Sequence, residues 1–301
     1  MHTITTVATG VGLNSSRVWG MLILAGTANY INNMVTVGET VSNDARISGI
    51  ADTSASGTNG FYYNTVVISG SHSGSGTNNS YSFRRPVTVT PSTDNLRNNI
   101  LVNTRTGGTG NYHFAIGVSS ATGWTATSSN YNNLYSSNSA SIGEWVSVLK
   151  DFTEWKNSST GDNNSVTRAT QFLSPTDLHL GGASVGDLNL IGTPIISISD
   201  KDIDNESRSA TFPYMGADEA SIPLPVELVN FSAKAKSRNV NLTWETKTET
   251  DNSGFEVERK DKNGDWKKIG FIEGFGSSNS PKYYTFEDKK LSSGKHNYRL
   301  K

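Results

Sequence analysis

The densest group of residues with metal-binding chemistry is an acidic run late in the chain, at Asp200, Asp202, Asp204 and Glu206. Carboxylates this close repel one another unless an extended backbone spreads them or a hard cation bridges them, and Ca²⁺ accepts six to eight oxygen ligands. The spacing resembles the start of an EF-hand loop without its glycine and distant glutamate. The run predicts a structural Ca²⁺ site; the alternative is a solvated acidic turn in which Arg208 neutralises one carboxylate.

A second candidate set is basic and consists of Arg97, Arg105 and His113, which we interpret as glycan-binding residues. Glycoside hydrolysis needs two or more convergent carboxylates, and Asp94 is the only carboxylate between residues 53 and 143. The five histidines have no metal-ligand spacing, and the absence of cysteine excludes thiolate sites and a cysteine nucleophile. No catalytic residue is assigned.

A repeated asparagine followed by an apolar run predicts the elements that carry these residues. The asparagines lie at positions 32, 64, 98 and 132, which gives a period of 32 to 34 residues. β-Branched runs bounded by Gly, Asn and Ser read as strands, and strands at a fixed period indicate stacked turns of a parallel β-helix. Left-handed backbone geometry and hydrogen bonds to the next turn are expected at the asparagines.

The same alignment predicts which side chains face the interior. It places two apolar columns inside, Met34, Val66, Ile100 and Leu134 in one and Thr36, Ile68 and Val102 in the other, with polar side chains between them facing water. Capping-box spacing at Ser141 and Glu144 predicts a short amphipathic capping helix near residues 141–157.

Composition changes near residue 222 and predicts a domain boundary. Residues 1–222 carry 11 Lys and Arg against 16 Asp and Glu, whereas residues 223–301 carry 15 against 11. A net charge of −1 gives no reason to expect nucleic acid as a partner. No apolar run approaches the length of a membrane span.

Three groups of segments resemble a known kind of protein. The first is the repeated asparagine motif, the second includes residues 177–180, 202–208 and 215–219, and the third includes residues 224–228, 242–246 and 254–259. Together they resemble right-handed parallel β-helix (pectin-lyase-like) surface proteins of Bacteroidetes-type bacteria with a C-terminal fibronectin-type-III-like module. The fold expected from the resemblance is all-β, with the β-helix at residues 1–222 and an incomplete fibronectin-like sandwich at residues 223–301.

The resemblance implies secretion to the outer cell surface by the type IX system. Such proteins have a signal peptide before the β-helix and a sorting domain after the module, so the chain is interpreted as a fragment whose module is truncated at its C-terminus. Residues 223–301 contain six strand-like runs, one fewer than a fibronectin-type sandwich requires.

Three functions remain open from the sequence. The first is a non-catalytic secreted or cell-surface protein whose β-helix presents a polar face to a polysaccharide or cell-surface glycan. The second is an enzyme of the polysaccharide lyase type whose active-site turns lie outside this sequence, and the third is a structural stalk or adhesin.

Overall fold

A computed structural model describes residues 17–72, 76–108, 112–220, 226–262, 264–278 and 280–301, with the backbone alone at positions 227, 250, 251 and 277. The chain divides into two compact units, Met1–Ser221 and Ile222–Lys301. This division lies next to the composition change near residue 222.

The first unit is a β-solenoid, in which the stacked strands pair in parallel with their counterparts one repeat further along. Sheet A contains β1 (Arg17–Ile23), β4 (Arg46–Asp52), β8 (Ser80–Arg85), β12 (His113–Val118) and β15 (Gly143–Trp145), with β16 (Val148–Lys150) added antiparallel. Sheet B contains β2 (Asn29–Ile31), β5 (Thr58–Tyr62), β9 (Thr93–Arg97) and β13 (Ser129–Asn130), and sheet C contains β3 (Met34–Val37), β6 (Thr65–Ile68), β10 (Ile100–Asn103) and β14 (Asn133–Ser136). A fourth, two-stranded sheet pairs β7 (Ser71–His72) with β11 (Thr106–Gly107). The stacked parallel architecture predicted from the repeat is confirmed.

The register of sheet C corrects the predicted columns. Its strands align Met34 with Thr65, Ile100 and Asn133, and Val35 with Val66, Leu101 and Leu134. The second column faces the interior core. The predicted column combined members of both, because the number of residues between equivalent positions varies and a shift of one residue moves a side chain to the opposite face. For the same reason, the second predicted column is wrong at Ile68, because Thr36 and Val102 align with Val67 instead.

An asparagine ladder runs along one corner of the solenoid. The side-chain amide of Asn33 donates to Asn64 at 2.8 Å, that of Asn64 to Asn99 at 2.9 Å, and that of Asn99 to Asn132 at 2.9 Å. The residue before each ladder position has left-handed backbone geometry, with φ between 53° and 56°; these residues are Asn32, Tyr63, Asn98 and Tyr131. Left-handed backbone geometry and hydrogen bonding to the next turn were both predicted for the same asparagines. In the structure they belong to two adjacent positions in each turn.

The predicted capping helix is shorter and begins later than expected. Residues 143–150 form the β15–β16 hairpin, because β15 continues sheet A by pairing with β12. The helix α1 spans Phe152–Ser159, and its capping box is formed by Asp151 and Glu154 rather than by Ser141 and Glu144. Trp155 is fully buried in the interior core, where its indole NH donates to Asp162 at 2.8 Å.

The outer face of sheet C is apolar and covered. Met34, Ile100 and Val102 pack against Leu178 and Tyr214 in a second hydrophobic cluster. These two residues belong to the segment after the solenoid strands, which contains β17 (Phe172–Ser174), β18 (Asp177–Leu180) and two short 3-10 helices, Gly182–Ser184 and Leu188–Leu190. The prediction that the alternate positions of these strands face water is wrong for this sheet.

The second unit is antiparallel. It contains β19 (Val226–Lys236), β20 (Asn239–Lys260), β21 (Trp266–Ser278), β22 (Lys282–Asp288) and β23 (Tyr298–Leu300), and β20 pairs with each of the other four strands. Trp244, Phe255 and Tyr284 pack together at the centre of its core, with ring centroids 5.0 to 5.4 Å apart. Two of the six predicted strand-like runs are parts of the single long strand β20.

Candidate anion-binding groove

A groove of about 290 Å³ lies on sheet A, and we call it the arginine groove. Its lining includes Arg17 and Trp19 from β1, Arg46 and Ser48 from β4, and Arg84 from β8. In β1, Arg17 and Trp19 alternate with the buried residues Val18 and Gly20 and therefore point away from the core. Parallel pairing places Arg17 beside Arg46 and Trp19 beside Ser48.

Buried aromatic rings support the cationic side chain of Arg84. Its guanidinium lies 4.6 Å from the centre of the Tyr81 ring, which stacks on Phe114 at 5.2 Å. The Tyr81 hydroxyl donates to Glu144 at 3.1 Å. Burial raises the pKa of Tyr81 to about 12, so this hydroxyl stays protonated at neutral pH. These contacts hold Arg84 in one orientation along the sheet.

The arginine groove has an excess of positive charge. Among the described residues, the arginines in ion pairs are Arg168, Arg208, Arg259 and Arg299, and none of these lines the groove. Burial lowers the pKa of Arg84; Tyr81 and Glu144 oppose this shift, whereas repulsion from Arg46 and Arg17 adds to it. The Nε atom of Arg84 is buried and has no hydrogen-bond partner among the described residues. An anion in the groove would reduce this repulsion.

The three predicted glycan-binding residues contact backbone carbonyl oxygens of the solenoid. Arg105 is buried and donates to the carbonyl oxygens of Gly38 and Val41. His113 is buried between the Ser80 hydroxyl and a backbone carbonyl, and burial lowers its pKa. Arg97 is half-buried and donates to the carbonyl oxygens of the preceding residue, Leu96, and of Thr127. All three contact backbone carbonyl oxygens, and glycan binding by these residues stays a prediction.

The predicted calcium ligands do not converge on one point. Asp202 is buried, and its carboxylate accepts the backbone NH groups of Asp204, Glu206 and Glu219 at 2.8 to 3.1 Å. The side chains of Asp200 and Glu206 are exposed. Asp202 therefore fixes a turn, and a Ca²⁺ site formed by all four carboxylates stays a prediction.

Arg208 does not neutralise a carboxylate of the acidic run. It pairs with Glu219 at 3.2 Å, and its guanidinium lies 4.0 Å over the ring of Tyr63. It also donates to the carbonyl oxygens of Gly216 and Ala217. The buried arginine thereby holds the end of the segment against the solenoid.

The groove residues were missed because the chain separates them. Arg17, Arg46 and Arg84 are 29 and 38 residues apart, and only the register of sheet A brings them to one surface. An available signal was the alternation of basic or aromatic residues with small or apolar ones in strand-like sequence, as in residues 17–20.

The fold and the groove together define the class of protein. It has a β-solenoid unit with a cationic groove on one parallel sheet, followed along the chain by an antiparallel β unit. No protein-family model matches the sequence, and no curated protein or solved structure matches it either. Within the part of the chain that the structure describes, no helix has the length and apolar character needed to cross a membrane.

Proposed function

We propose that this is a non-catalytic glycan-binding protein whose arginine groove binds an acidic polysaccharide. The observation that supports the proposal is the grouping of Arg17, Arg46 and Arg84 around Trp19, without ion pairs among the described residues. A guanidinium binds carboxylate and sulfate groups with two parallel hydrogen bonds. The half-buried indole of Trp19 supplies an apolar surface on which a sugar ring can stack.

The remaining parts of the proposal concern location and architecture. We infer a secreted or cell-surface protein in which the second unit is a fibronectin-type-III-like spacer. The antiparallel pairing of β19 to β23 and the core around Trp244 are compatible with such a sandwich. A β-solenoid exposes one long sheet face to a linear polymer, which suits the proposed ligand.

A polysaccharide lyase is the second candidate, with Arg84 as the base on the exposed sheet. A lyase site of that type also needs acidic ligands for a metal ion. In the described part of the chain, Glu144 is the carboxylate next to Arg84, and it already accepts the Tyr81 hydroxyl. Binding without cleavage is therefore the better supported function.

Replacing Arg46 by glutamine is expected to weaken binding of polygalacturonate about tenfold, because one charge-assisted contact is worth about 1.5 kcal/mol. Affinity should be measured by isothermal titration with polygalacturonate and with an uncharged glucan at two salt concentrations. The matched control is Arg168→Gln, which removes the same charge from an arginine already paired with Asp187.

Selective, salt-sensitive binding of the acidic polymer that Arg46→Gln weakens and Arg168→Gln leaves unchanged is the expected pattern. Equal affinity for the neutral glucan, or equal losses in both variants, would contradict the proposal. Growth of the ultraviolet absorbance of an unsaturated uronate during incubation would instead establish the lyase.

A further inference from the structure

We propose that His179, Asp204 and Asp218 form a binding site for a divalent transition-metal ion such as Zn²⁺. One ligand atom from each residue lies within 4.8 Å of the other two. His179 lies in strand β18, Asp204 lies in the turn that Asp202 fixes, and Asp218 lies at the end of the segment that Arg208 holds. The site is separate from the arginine groove and does not depend on the proposed glycan binding.

The surroundings of His179 suit a metal ligand. Its Nδ1 atom is hydrogen-bonded to the carboxylate of Asp177, and its Nε2 atom lies 2.6 Å from Asp204 Oδ2. A metal-binding histidine almost always donates its other ring NH to a carboxylate or carbonyl, which fixes the tautomer and orients the lone pair. Asp177 would therefore act as a positioning residue, with Nε2 directed at the ion.

The charge balance favours a cation at this position. Three carboxylates, from Asp177, Asp204 and Asp218, lie around one imidazole. Even a protonated imidazole would leave two excess negative charges in the cluster. The nearby Arg208 is paired with Glu219.

The donor set indicates which ion fits. One imidazole nitrogen and two carboxylates suit Zn²⁺ and similar ions, whereas Ca²⁺ takes oxygen ligands alone. Zinc binds at about 2.0 to 2.2 Å, so tetrahedral ligand atoms lie about 3.3 Å apart. The His179 Nε2–Asp204 Oδ2 distance of 2.6 Å would have to grow by about 0.7 Å, and the side chain of Asp204 is exposed and can move.

Isothermal titration of the full chain without a polyhistidine tag tests the proposal, with Zn²⁺ as the probe and Ca²⁺ for comparison. We expect one Zn²⁺ per chain and no comparable binding of Ca²⁺. His179→Gln should abolish binding, and Asp177→Asn should weaken it by about 10- to 100-fold. His296→Gln, which changes a half-buried histidine of the second unit, should bind as the wild type does.

A second pair of variants separates ligand loss from unfolding. Asp204→Asn and Asp200→Asn each remove one exposed carboxylate from the same turn. We expect at least about tenfold weaker Zn²⁺ binding in the first and unchanged binding in the second. Absence of Zn²⁺ binding to the wild type, or binding that both His179→Gln and Asp204→Asn retain, would overturn the proposal.

Discussion

Replacing Asn99 by alanine is expected to lower the free energy of unfolding by about 4 kcal/mol, since four buried side-chain hydrogen bonds are lost at about 1 kcal/mol each. The Asn99 carboxamide oxygen accepts the backbone and side-chain NH groups of Asn64 at 3.0 and 2.9 Å. Its amide donates to the carbonyl of Phe61 and to Asn132, each at 2.9 Å. Asn99 is 1% exposed, so water cannot replace these partners.

Urea unfolding of the full chain, followed by circular dichroism, measures the loss. The control is Asn33→Ala at the end of the same ladder. Among the described residues, the Asn33 amide donates to Ile31 and Asn64, and the residue is half-buried. Because water can partly replace these two hydrogen bonds, we expect a loss of about 1 kcal/mol there. Similar losses at both positions would mean that the ladder does not stabilise the solenoid in the way its geometry indicates.

The second large effect concerns pH and a carboxyl group inside the solenoid. Asp94 is 1% exposed, and its Oδ2 atom has no hydrogen-bond partner among the described residues. The Ser92 hydroxyl lies 2.8 Å from Asp94 and 3.1 Å from Asp52, yet it has one proton to donate. Burial, together with the charge of Asp52, raises the pKa of Asp94 to about 8.

The sign of the resulting pH dependence follows from linkage. The folded state holds the Asp94 proton more tightly than the unfolded chain, in which the pKa is 3.8. The stabilisation is therefore fully present below the unfolded pKa and is lost as the pH rises through the folded pKa. Between these values, this group lowers the free energy of unfolding by about 1.4 kcal/mol per pH unit.

Asp94→Asn is expected to remove this slope, because an amide has no proton to lose in this range. The variant should be less sensitive to alkaline pH than the wild type and more stable than it above about pH 8. Urea unfolding at a series of pH values between about 4 and 9 measures the difference. Asp200→Asn, at an exposed carboxylate, serves as the control. A wild-type slope retained in Asp94→Asn would show that the proton is held elsewhere.

The sequence alone determined the repeating strand architecture of the first unit. The period of the Asn-led runs and their β-branched residues require stacked strands, because they present alternating apolar side chains and lack helix formers at helical spacing. The composition change near residue 222 marked the separation of a second, more highly charged β unit. These features depend on local residue preferences, which the sequence records directly.

Register, burial and the grouping of charged residues were decided only by the tertiary structure. Turns of unequal length set which residues align, so Val66 and Leu134 belong to a different column from the one predicted. Pairing with sheet A formed a hairpin where capping-box spacing had predicted helix. The carbonyl oxygens that Arg105 binds belong to turns at residues 38–41, so its burial depends on contacts distant in the chain. The same parallel stacking brings Arg17, Arg46 and Arg84 into one groove, because strands that are pairing neighbours lie about 4.8 Å apart even when about 30 residues separate them.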